Sequence, residues 1–178
     1  GLRINQHHQL TPLKKISWWS IFYLKNQKAY IKSLSQFHLS KDIEVAIQSG
    51  PRLLINHQIP SNLKPGHAQR SAVGITEDGH LILLSTEHNL LTTDELAHIM
   101  QSPPLNCSHA LNFDGGSSSQ LYVQSTKFSL NIPGFSPVSD ALVINPQLSK
   151  PVIANPSLSK TVTISPLHAL MLQSEKLL

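Results

Sequence analysis

The sequence predicts a single α+β domain built on a mixed, largely antiparallel sheet with a few flanking helices. Three features support this prediction: short apolar segments separated by turn residues, an Asp-Gly turn between two of them, and one amphipathic segment with helix-capping residues. The chain has 178 residues, of which 40% are hydrophobic and 13% are charged. This length and composition are sufficient for one hydrophobic core of ordinary size.

The first apolar segments form a predicted hairpin. Residues 21–24 and 29–31 are apolar, and they flank the polar residues 25–28. Asn26 lies at the centre of this turn, where a left-handed conformation is needed and Asn tolerates it. We therefore expect residues 21–31 to pair locally as two antiparallel strands.

Two further strands are expected on either side of a Gly-Pro pair. Residues 44–48 contain three apolar residues between Glu44 and Gln48 and form a short predicted strand, which Gly50 and Pro51 interrupt. Residues 52–55 follow as another apolar segment, and a polar loop extends to residue 69.

A second hairpin has the strongest turn signal in the sequence. Residues 71–75 and 81–85 are apolar segments separated by a turn that contains Asp78 and Gly79. Because Asp-Gly is favoured in two-residue hairpin loops, we expect these segments to pair.

A helix is predicted to begin after Thr92. Thr92 can cap the first turn, and Asp94 and Glu95 are acidic residues that suit the positive end of the helix dipole. The apolar face of the helix is formed by Leu96, Ile99 and Met100. Pro103 and Pro104 end it.

The last part of the chain changes in composition. Strands are expected at residues 110–113, 121–123 and 141–144, and residues 145–178 then form a tail rich in Ser, Pro and Asn. The tail contains two copies of Asn-Pro-x-Leu-Ser-Lys at a spacing of ten residues, too few for a solenoid. We expect an extended or partly ordered segment followed by a short helix at about residues 166–178.

Charge and cysteine content narrow the function classes. The net charge is +4, but Lys14 and Lys15 form the only adjacent basic pair, which argues against a nucleic-acid partner. The single Cys107 excludes an internal disulfide. No apolar segment approaches the roughly 20 residues of a transmembrane helix, so no membrane span is expected. Since the chain begins at Gly1 rather than Met, we expect that a leader was removed or is absent.

The ten histidines do not indicate a metal site. None forms a His-x-x-x-His pair, and His7 and His8 lie in a terminus that we expect to be mobile. No metal and no cofactor is therefore expected. Trp18 and Trp19 are adjacent, so on a strand they would point in opposite directions, one into the core and the other available to stack on a sugar.

The strongest candidate for a functional site follows the strand at residues 110–113. Asp114 is followed by Gly115 and Gly116, which allow positive φ and a close approach of a ligand to the backbone. Ser117 and Ser118 add hydroxyl donors that suit phosphate or sugar oxygens. A tight turn closed by an Asx-type hydrogen bond would use the same residues. The sequence has neither a Walker phosphate loop nor a Gly-x-Ser-x-Gly nucleophile elbow.

Four ordered segments resemble the phosphodiester glycosidase domain family. The most specific is Asn-Phe-Asp-Gly-Gly-Ser-Ser at residues 112–118, and the others are residues 48–51, 70–75 and 92–97. The resemblance covers roughly residues 1–144 and implies an α+β domain with catalytic groups at strand ends. It also implies a hydrolase of sugar phosphodiesters, or of a related envelope or exopolysaccharide glycan, in an extracytoplasmic location, the bacterial periplasm or outside the cell, because the family includes many bacterial proteins associated with exopolysaccharide. Family members usually carry a further N-terminal strand, so we expect the pocket in this chain to be incomplete.

Two residues are candidates for catalysis of the implied reaction. Ordinary glycoside hydrolysis uses two carboxylates, one of which protonates a poor leaving group. A phosphate leaving group is already a weak base, so one carboxylate and one cation could suffice. Asp114 would be the nucleophile or the general base, and Arg70 would hold the phosphate with its forked guanidinium. A structural role for Arg70 is the alternative.

Four other residues are predicted to bind the substrate. His67 could donate a proton or hold a hydroxyl, although a histidine in a loop is often merely solvated. Ser49 and Gly50 could form the opposite wall of the pocket. Asn112 lies two residues before Asp114 and therefore on the same face of the predicted strand. It could orient the carboxylate or contact a sugar hydroxyl.

Two other functions remain compatible with the sequence. One is a non-catalytic module that binds a glycan or a phosphate through the same loop. The other is a structural envelope protein that contacts a partner through residues 145–163. A carbohydrate or sugar-phosphate ligand is expected for the hydrolase and for the binding module.

Overall fold

The fold is mostly β in the part of the chain that can be described. The computed structural model describes residues 1–125, 128–144, 161–164 and 169–171. Of these residues, 44% lie in strands and 8% lie in helices, with one α-helix. The expected α+β class with a few flanking helices is therefore wrong.

Two five-stranded sheets form the body of the fold. The first sheet has the spatial order β2 (His8–Thr11), β1 (Arg3–Asn5), β5 (Ile43–Ser49), β3 (Ser20–Lys25) and β4 (Lys28–Ser33). The second has the order β14 (Ala169–Met171), β8 (Leu81–Ser85), β7 (Ser71–Thr76), β9 (Cys107–Asn112) and β6 (Arg52–Leu54). Every pairing is antiparallel except that of β14 with β8, which is parallel.

Two smaller strand pairs lie outside these sheets. β10 (Leu121–Gln124) and β11 (Ser129–Ile132) form an antiparallel ribbon. β12 (Ala141–Ile144) pairs in parallel with β13 (Thr161–Ile164). A 3-10 helix, η1, covers Gly116–Ser118.

The principal core lies between the two sheets. It is formed by Phe22, Leu24, Ile31 and Val45 of the first sheet with Val73, Ile75, Leu81 and Leu111 of the second. Alternate residues of each strand point to this core, because side chains alternate between the two faces of a strand. Phe113, which follows β9, packs on it with its ring centroid 6.5 Å from that of Phe22.

The outer faces explain why one helix is enough. On the first sheet, a second core of apolar residues is closed by Phe37 and Leu34 from the loop before β5. On the second sheet, the helix α1 (Thr93–Gln101) covers the outer face. Because each sheet already buries its inner face against the other, only these two outer faces need a cover. A sequence-based count of apolar segments does not reveal that the strands divide into two facing sheets.

The helix begins and packs as its sequence indicates. Thr92 is the N-cap, and its hydroxyl accepts from the backbone of Glu95 while the Glu95 side chain accepts from the backbone of Thr92. Leu96 and Met100 are buried against the second sheet. A Cβ atom at Gly74 would lie 2.5 Å from both the Met100 Cε and the Cys107 Sγ, so a side chain at this position would displace the packing between the helix and the sheet.

Both hairpins predicted from the sequence are confirmed. β3 pairs with β4 around Asn26 and Gln27, which have φ values of 50° and 59°. β7 pairs with β8, with Ser71 opposite Ser85. The first turn has the left-handed conformations that match strand twist.

The amino-terminal residues form a hairpin, which the sequence analysis missed. β1 and β2 pair around Gln6 and His7, at φ values of 47° and 65°, and β1 continues the first sheet beside β5. The expected mobile terminus is therefore wrong. Its turn lacks the Gly or Asn that usually marks such a hairpin.

The predicted terminal helix is also wrong where it can be checked. Residues 169–171 form the strand β14. The rest of the predicted helix, and both copies of the tail repeat, lie outside the described residues. Within the described residues, no helix has the length and apolar character that crossing a membrane requires.

Candidate active site

The predicted site residues come from strands that start or end at the same end of the fold. β7 begins beside the end of β9, where Ala72 lies opposite Asn112. β6 also begins there, with Arg52 opposite Leu111, and β5 ends nearby at Ser49. The antiparallel registers thus bring three sequence-distant segments to one end of the sandwich.

Asn112 joins two of these segments. Its side-chain nitrogen donates to the carbonyl oxygens of Gly50 at 3.2 Å and Phe113 at 2.6 Å. Its backbone amide donates to the carbonyl oxygen of Pro51 at 3.0 Å. The Asn112 Oδ1 atom is buried and accepts no hydrogen bond from a described residue. Since a buried acceptor without a donor is costly, this atom is a candidate acceptor for a ligand or for water.

Two backbone hydrogen bonds hold the glycine-rich loop against the residues before β7. The amide of Phe113 donates to the carbonyl oxygen of Ser71, and the amide of Gly116 donates to that of Gln69, both at 2.7 Å. The residue between the two acceptors is Arg70. Its backbone therefore lies opposite the two residues between the donors.

Those two residues are Asp114 and Gly115. The Asp114 side chain is exposed, and its carboxylate makes no hydrogen bond or ion pair with any described residue. A Cβ atom at Gly115 would lie 2.7 Å from the carbonyl oxygen of Gln69, so only glycine allows the loop to lie this close. The Asx-type hydrogen bond that would explain Asp114 as an ordinary turn residue is absent.

The rest of the loop is a 3-10 helix with available hydroxyls. Gly116 has a φ of +60°, and the backbone amides of Ser118 and Ser119 bond back to Gly115 and Gly116 at 3.3 and 3.1 Å. The hydroxyls of Ser117 and Ser118 make no hydrogen bond to a described residue. They are therefore open to a ligand.

The Arg70 guanidinium is partly engaged with the backbone. Its Nε donates to the carbonyl oxygen of Leu91 at 2.8 Å, and its Nη2 donates to that of Gly66. Its Nη1 makes no hydrogen bond to a described residue. Burial lowers the pKa of Arg70, but an arginine stays charged at physiological pH. The guanidinium and the Asp114 carboxylate do not form an ion pair.

The remaining predicted residues are placed differently. Ser49 lies at the end of β5, opposite Ser20 of β3. The His67 side chain faces the start of α1, with its Nε2 atom 3.9 Å from Oε2 of Glu95. The structure therefore groups Ser49 with the site end of the sheets and directs His67 toward the helix.

Sequence reasoning missed the way Arg70 is held. Its backbone amide donates to the hydroxyl of Thr86 at 2.8 Å, and the amide of Thr86 donates to the carbonyl oxygen of Arg70 at 2.9 Å. The signal was present in the predicted hairpin. If Ser71 lies opposite Ser85, the next pair outward is Arg70 and Thr86.

Sequence reasoning also misplaced the tryptophans. Trp18 and Trp19 lie before β3 rather than on a strand, and their rings contact each other edge to face at 5.7 Å. A Cβ atom at Gly50 would lie 2.8 Å from the Trp18 carbonyl oxygen, so the pair lies directly against the Gly50 backbone. The ammonium group of Lys64 lies 4.8 Å from the centre of the Trp18 ring. No local pattern in the sequence indicates this contact.

A cleft of about 460 Å³ lies next to the glycine-rich loop. It is lined by residues 120–122 and 131–137, which belong to the β10–β11 ribbon and the loop after it. The backbone amides of Phe135 and Ser136 donate to the carbonyl oxygen of Ser117 at 2.9 and 3.0 Å. The cleft therefore shares a loop with Asp114 but does not contain it.

Comparison with known proteins identifies related chains. The chain is 31% identical over 107 residues to "Uncharacterized protein YigE" of Escherichia coli strain K12, covering 58% of this chain and 41% of the relative. The fold is similar to the catalytic domain of zebrafish N-acetylglucosamine-1-phosphodiester alpha-N-acetylglucosaminidase auto-inhibited by its pro-peptide, with a TM-score of 0.54 and 18% identity. That match covers 67% of this chain and 47% of the zebrafish chain. The chain thus spans less than half the length of either protein.

The family assignment rests on a longer match. The model of the phosphodiester glycosidase family matches residues 1–145. This range includes strands β1 to β12 and the whole candidate site. The family is one of glycosidase-type hydrolases that act on phosphodiesters. The resemblance identified from four sequence segments is confirmed, and this chain belongs to the phosphodiester glycosidase family.

Proposed function

We propose that this chain hydrolyses a glycosyl phosphodiester, or a related envelope or exopolysaccharide glycan, outside the cytoplasm. The observation that carries the proposal is the register between the glycine-rich loop and the residues before β7. The two hydrogen bonds from Phe113 and Gly116 place the backbone of Arg70 opposite Asp114. A carboxylate and a cation are thus positioned on adjacent backbone segments.

Asp114 supplies the carboxylate chemistry. It either attacks the anomeric carbon and expels the phosphate monoester, or it takes a proton from a water molecule that attacks the same carbon. In the first case, water then releases the sugar from Asp114. Both routes yield the free sugar and a phosphate monoester, and neither needs an acid to protonate the leaving group. The exposure of Asp114 supports access for a substrate.

Arg70 holds the phosphate through the part of its guanidinium that the protein does not use. The bonds from Nε and Nη2 to backbone carbonyls fix the plane of the group. Its Nη1 atom makes no hydrogen bond to a described residue, so its two N–H donors can bind a phosphate oxygen. The predicted phosphate role and the alternative structural role are therefore compatible in one side chain.

The loop and the neighbouring wall bind the rest of the substrate. Gly115 and Gly116 have no side chains that would keep a ligand away from the backbone. Ser117 and Ser118 supply hydroxyls. The Asn112 Oδ1 atom offers a buried acceptor. Ser49 and Gly50 form the opposite wall. His67 is assigned a peripheral contact, because it faces Glu95.

The function is tested with methyl phosphodiesters of N-acetylglucosamine, glucose and mannose, each in both anomeric forms. We expect Asp114→Asn to reduce turnover by at least about 100-fold, the lower limit of typical acid–base contributions. Arg70→Ala should reduce it by about 100-fold, as for loss of one charge-stabilising group. Asp94→Asn is the matched control, because Asp94 is an exposed aspartate on α1. This variant should hydrolyse the diesters at the wild-type rate. Normal turnover by both site variants would exclude this assignment.

A non-catalytic glycan- or phosphate-binding module is the second candidate. It is favoured by one observation: no described residue orients the Asp114 carboxylate by a hydrogen bond or an ion pair. Calorimetry with sugar 1-phosphates separates the two functions. Binding that depends on Arg70, together with no turnover of any of the six diesters by the wild-type protein, would establish the binding module.

The tail is a separate proposal. Partner contact through residues 145–163 would use a segment of which residues 145–160 lie outside the described part of the chain. Residues 161–163 belong to β13, which pairs with β12. Truncation after Ile144 that left all partner binding unchanged would argue against such a role.

A further inference from the structure

The cleft beside the glycine-rich loop has the composition of a sugar-binding surface. We infer that the cleft lined by residues 120–122 and 131–137 binds a neutral oligosaccharide that extends from the bond cleaved at Asp114. This inference deepens the proposed function and rests on it for the direction of the glycan. The cleft volume of about 460 Å³ lies within the range of ordinary ligand sites, roughly 300–1,000 Å³.

The β10–β11 ribbon has one apolar face and one face that suits sugars. Its registers pair Leu121 with Ile132 and Val123 with Leu130, and this apolar face is turned inward. The exposed face carries Tyr122, Gln124, Ser129 and Asn131. Of these four, Tyr122 and Asn131 line the cleft, together with Leu121 and Ile132 of the apolar face. An aromatic ring with amides and a hydroxyl offers both a flat surface for sugar C–H groups and donors and acceptors for sugar hydroxyls.

Two exposed aromatic rings flank the cleft. Tyr122 is 67% exposed and Phe135 is 79% exposed, and both line the cleft. Large aromatic side chains in a folded domain usually bury most of their surface, and two exposed rings that border one cleft offer flat surfaces on which a ligand can stack. The Tyr122 hydroxyl donates to Gln124 Oε1 at 3.3 Å, which fixes the edge of the ring and leaves its faces free.

The loop that carries Phe135 is anchored on both sides. The Ser117 carbonyl oxygen accepts from the amides of Phe135 and Ser136, and the Gln120 side chain donates to the Ser136 carbonyl oxygen at 2.9 Å. Further along, Asp140 forms an ion pair with Arg3 of β1. The exposed ring is therefore held out on a fixed backbone, which reduces the entropy lost when a ligand stacks on it.

The absence of charged residues from the cleft lining favours a neutral sugar over a phosphate as the ligand. None of its lining residues is charged, whereas a phosphate site would require Arg, Lys or a cluster of amides. Two residues that line the cleft, Phe135 and Ser136, donate their backbone amides to the carbonyl oxygen of Ser117 in the Asp114 loop. The cleft therefore adjoins the loop that carries Asp114.

Binding is tested first, without any reaction. The probes are chitotetraose, cellotetraose and maltotetraose, titrated into the whole chain by calorimetry and by NMR. We expect at least one to bind, and Tyr122→Ala and Phe135→Ala each to weaken it by about tenfold. Phe128→Ala is the matched control, because Phe128 directly precedes β11 and is 45% exposed but does not line the cleft. Thermal unfolding of each variant shows whether it is folded.

The binding outcomes decide the inference. Absence of binding by all three tetrasaccharides would overturn it. It would also be overturned if folded Tyr122→Ala and Phe135→Ala proteins bound as tightly as the wild type, or if Phe128→Ala weakened binding equally.

Turnover separates this inference from the proposed function. With a tetrasaccharide phosphodiester, Phe135→Ala should raise KM by about tenfold, while its kinetics on the methyl diester stay unchanged. If the wild type hydrolyses neither substrate but binds a tetrasaccharide through Tyr122 and Phe135, the proposed function fails and the cleft stands. If hydrolysis occurs and neither ring affects binding or KM, the cleft fails and the proposed function stands.

Discussion

The side-chain amide of Asn112 donates a hydrogen bond to the backbone carbonyl oxygen of Gly50, across 3.2 Å and 62 positions of sequence. This contact joins the end of β9 to the segment that links β5 of one sheet to β6 of the other. The same amide group also donates to the Phe113 carbonyl oxygen, one residue before Asp114. Asn112 therefore couples the position of the Asp114 loop to the wall formed by Gly50.

Replacing Asn112 tests this coupling. Asn112→Ala should reduce the free energy of unfolding by about 1–3 kcal/mol, because it leaves two partly buried carbonyl oxygens without their donor. Urea unfolding measures the loss. Gln58→Ala, an exposed amide side chain with no side-chain hydrogen bond to a described residue, should be nearly neutral. Equal effects of the two substitutions would show that the Asn112 contact is not significant for stability.

Gly115→Ala tests how closely the loop must lie against Gln69. The added Cβ atom would be 2.7 Å from a backbone oxygen, so the loop must shift, at a cost of about 1–3 kcal/mol. Turnover should fall together with stability because Asp114 moves with the loop. Gly66→Ala is the control, since a Cβ atom there has no neighbour within 4 Å. Differential scanning calorimetry measures the change in stability, and hydrolysis of a methyl phosphodiester measures the change in turnover. A Gly115→Ala protein with wild-type stability and turnover would contradict the prediction.

His109 should make the free energy of unfolding depend on pH in the acidic range. Burial, followed by the charges of Arg52, Lys32 and His57, lowers the pKa of His109 below its usual value of 6.5. The neutral ring is favoured in the folded state, so its contribution is fully present above pH 6.5 and is lost as pH falls through the lower folded pKa. Consistent with a neutral ring, Nδ1 lies 3.2 Å from the Nη2 donor of Arg52.

Urea unfolding between pH 8 and pH 5 should show this loss for the wild type, and His109→Gln should reduce it. His88→Gln, at a histidine whose side chain is 86% exposed, should leave the pH dependence unchanged. A pH dependence that is the same in both variants would contradict the assignment.

Cys107 has the opposite effect, at alkaline pH. Burial raises the pKa of its thiol from 9.0 to about 12. The contribution of the neutral thiol is fully present below pH 9 and is lost as pH rises toward the folded pKa, by up to about 1.4 kcal/mol per pH unit. Chemical unfolding from pH 8 to pH 11 should give a steeper decline for the wild type than for Cys107→Ala. Parallel declines would disprove the effect.

Local signals in the sequence were sufficient for the hairpins and the helix. Asp78 and Gly79 fix one turn, and Thr92 with Glu95 forms the capping box that begins the helix. Each of these features depends on residues within a few positions of one another. Family resemblance was sufficient to locate the Asp114 loop, because its motif is continuous.

Long-range packing could not be predicted in the same way. The division of the strands into two facing sheets depends on pairings such as β1 with β5, more than 30 residues apart. In the site, Arg70 was predicted to hold the phosphate or to have a structural role, but its partners were not predicted: Nε and Nη2 donate to carbonyl oxygens of Leu91 and Gly66. The partners of a side chain in a loop depend on where distant backbone lies, which no local pattern encodes.

The parallel pairing of β14 with β8 determines which edge of the second sheet is exposed. Without β14, the amide and carbonyl groups of β8 on that side would form an open edge, and an open edge can recruit a strand from another molecule. β14 is therefore the edge strand of the second sheet on the side opposite β6, and it is only three residues long. So short an edge strand offers little backbone for a strand of another molecule to pair with.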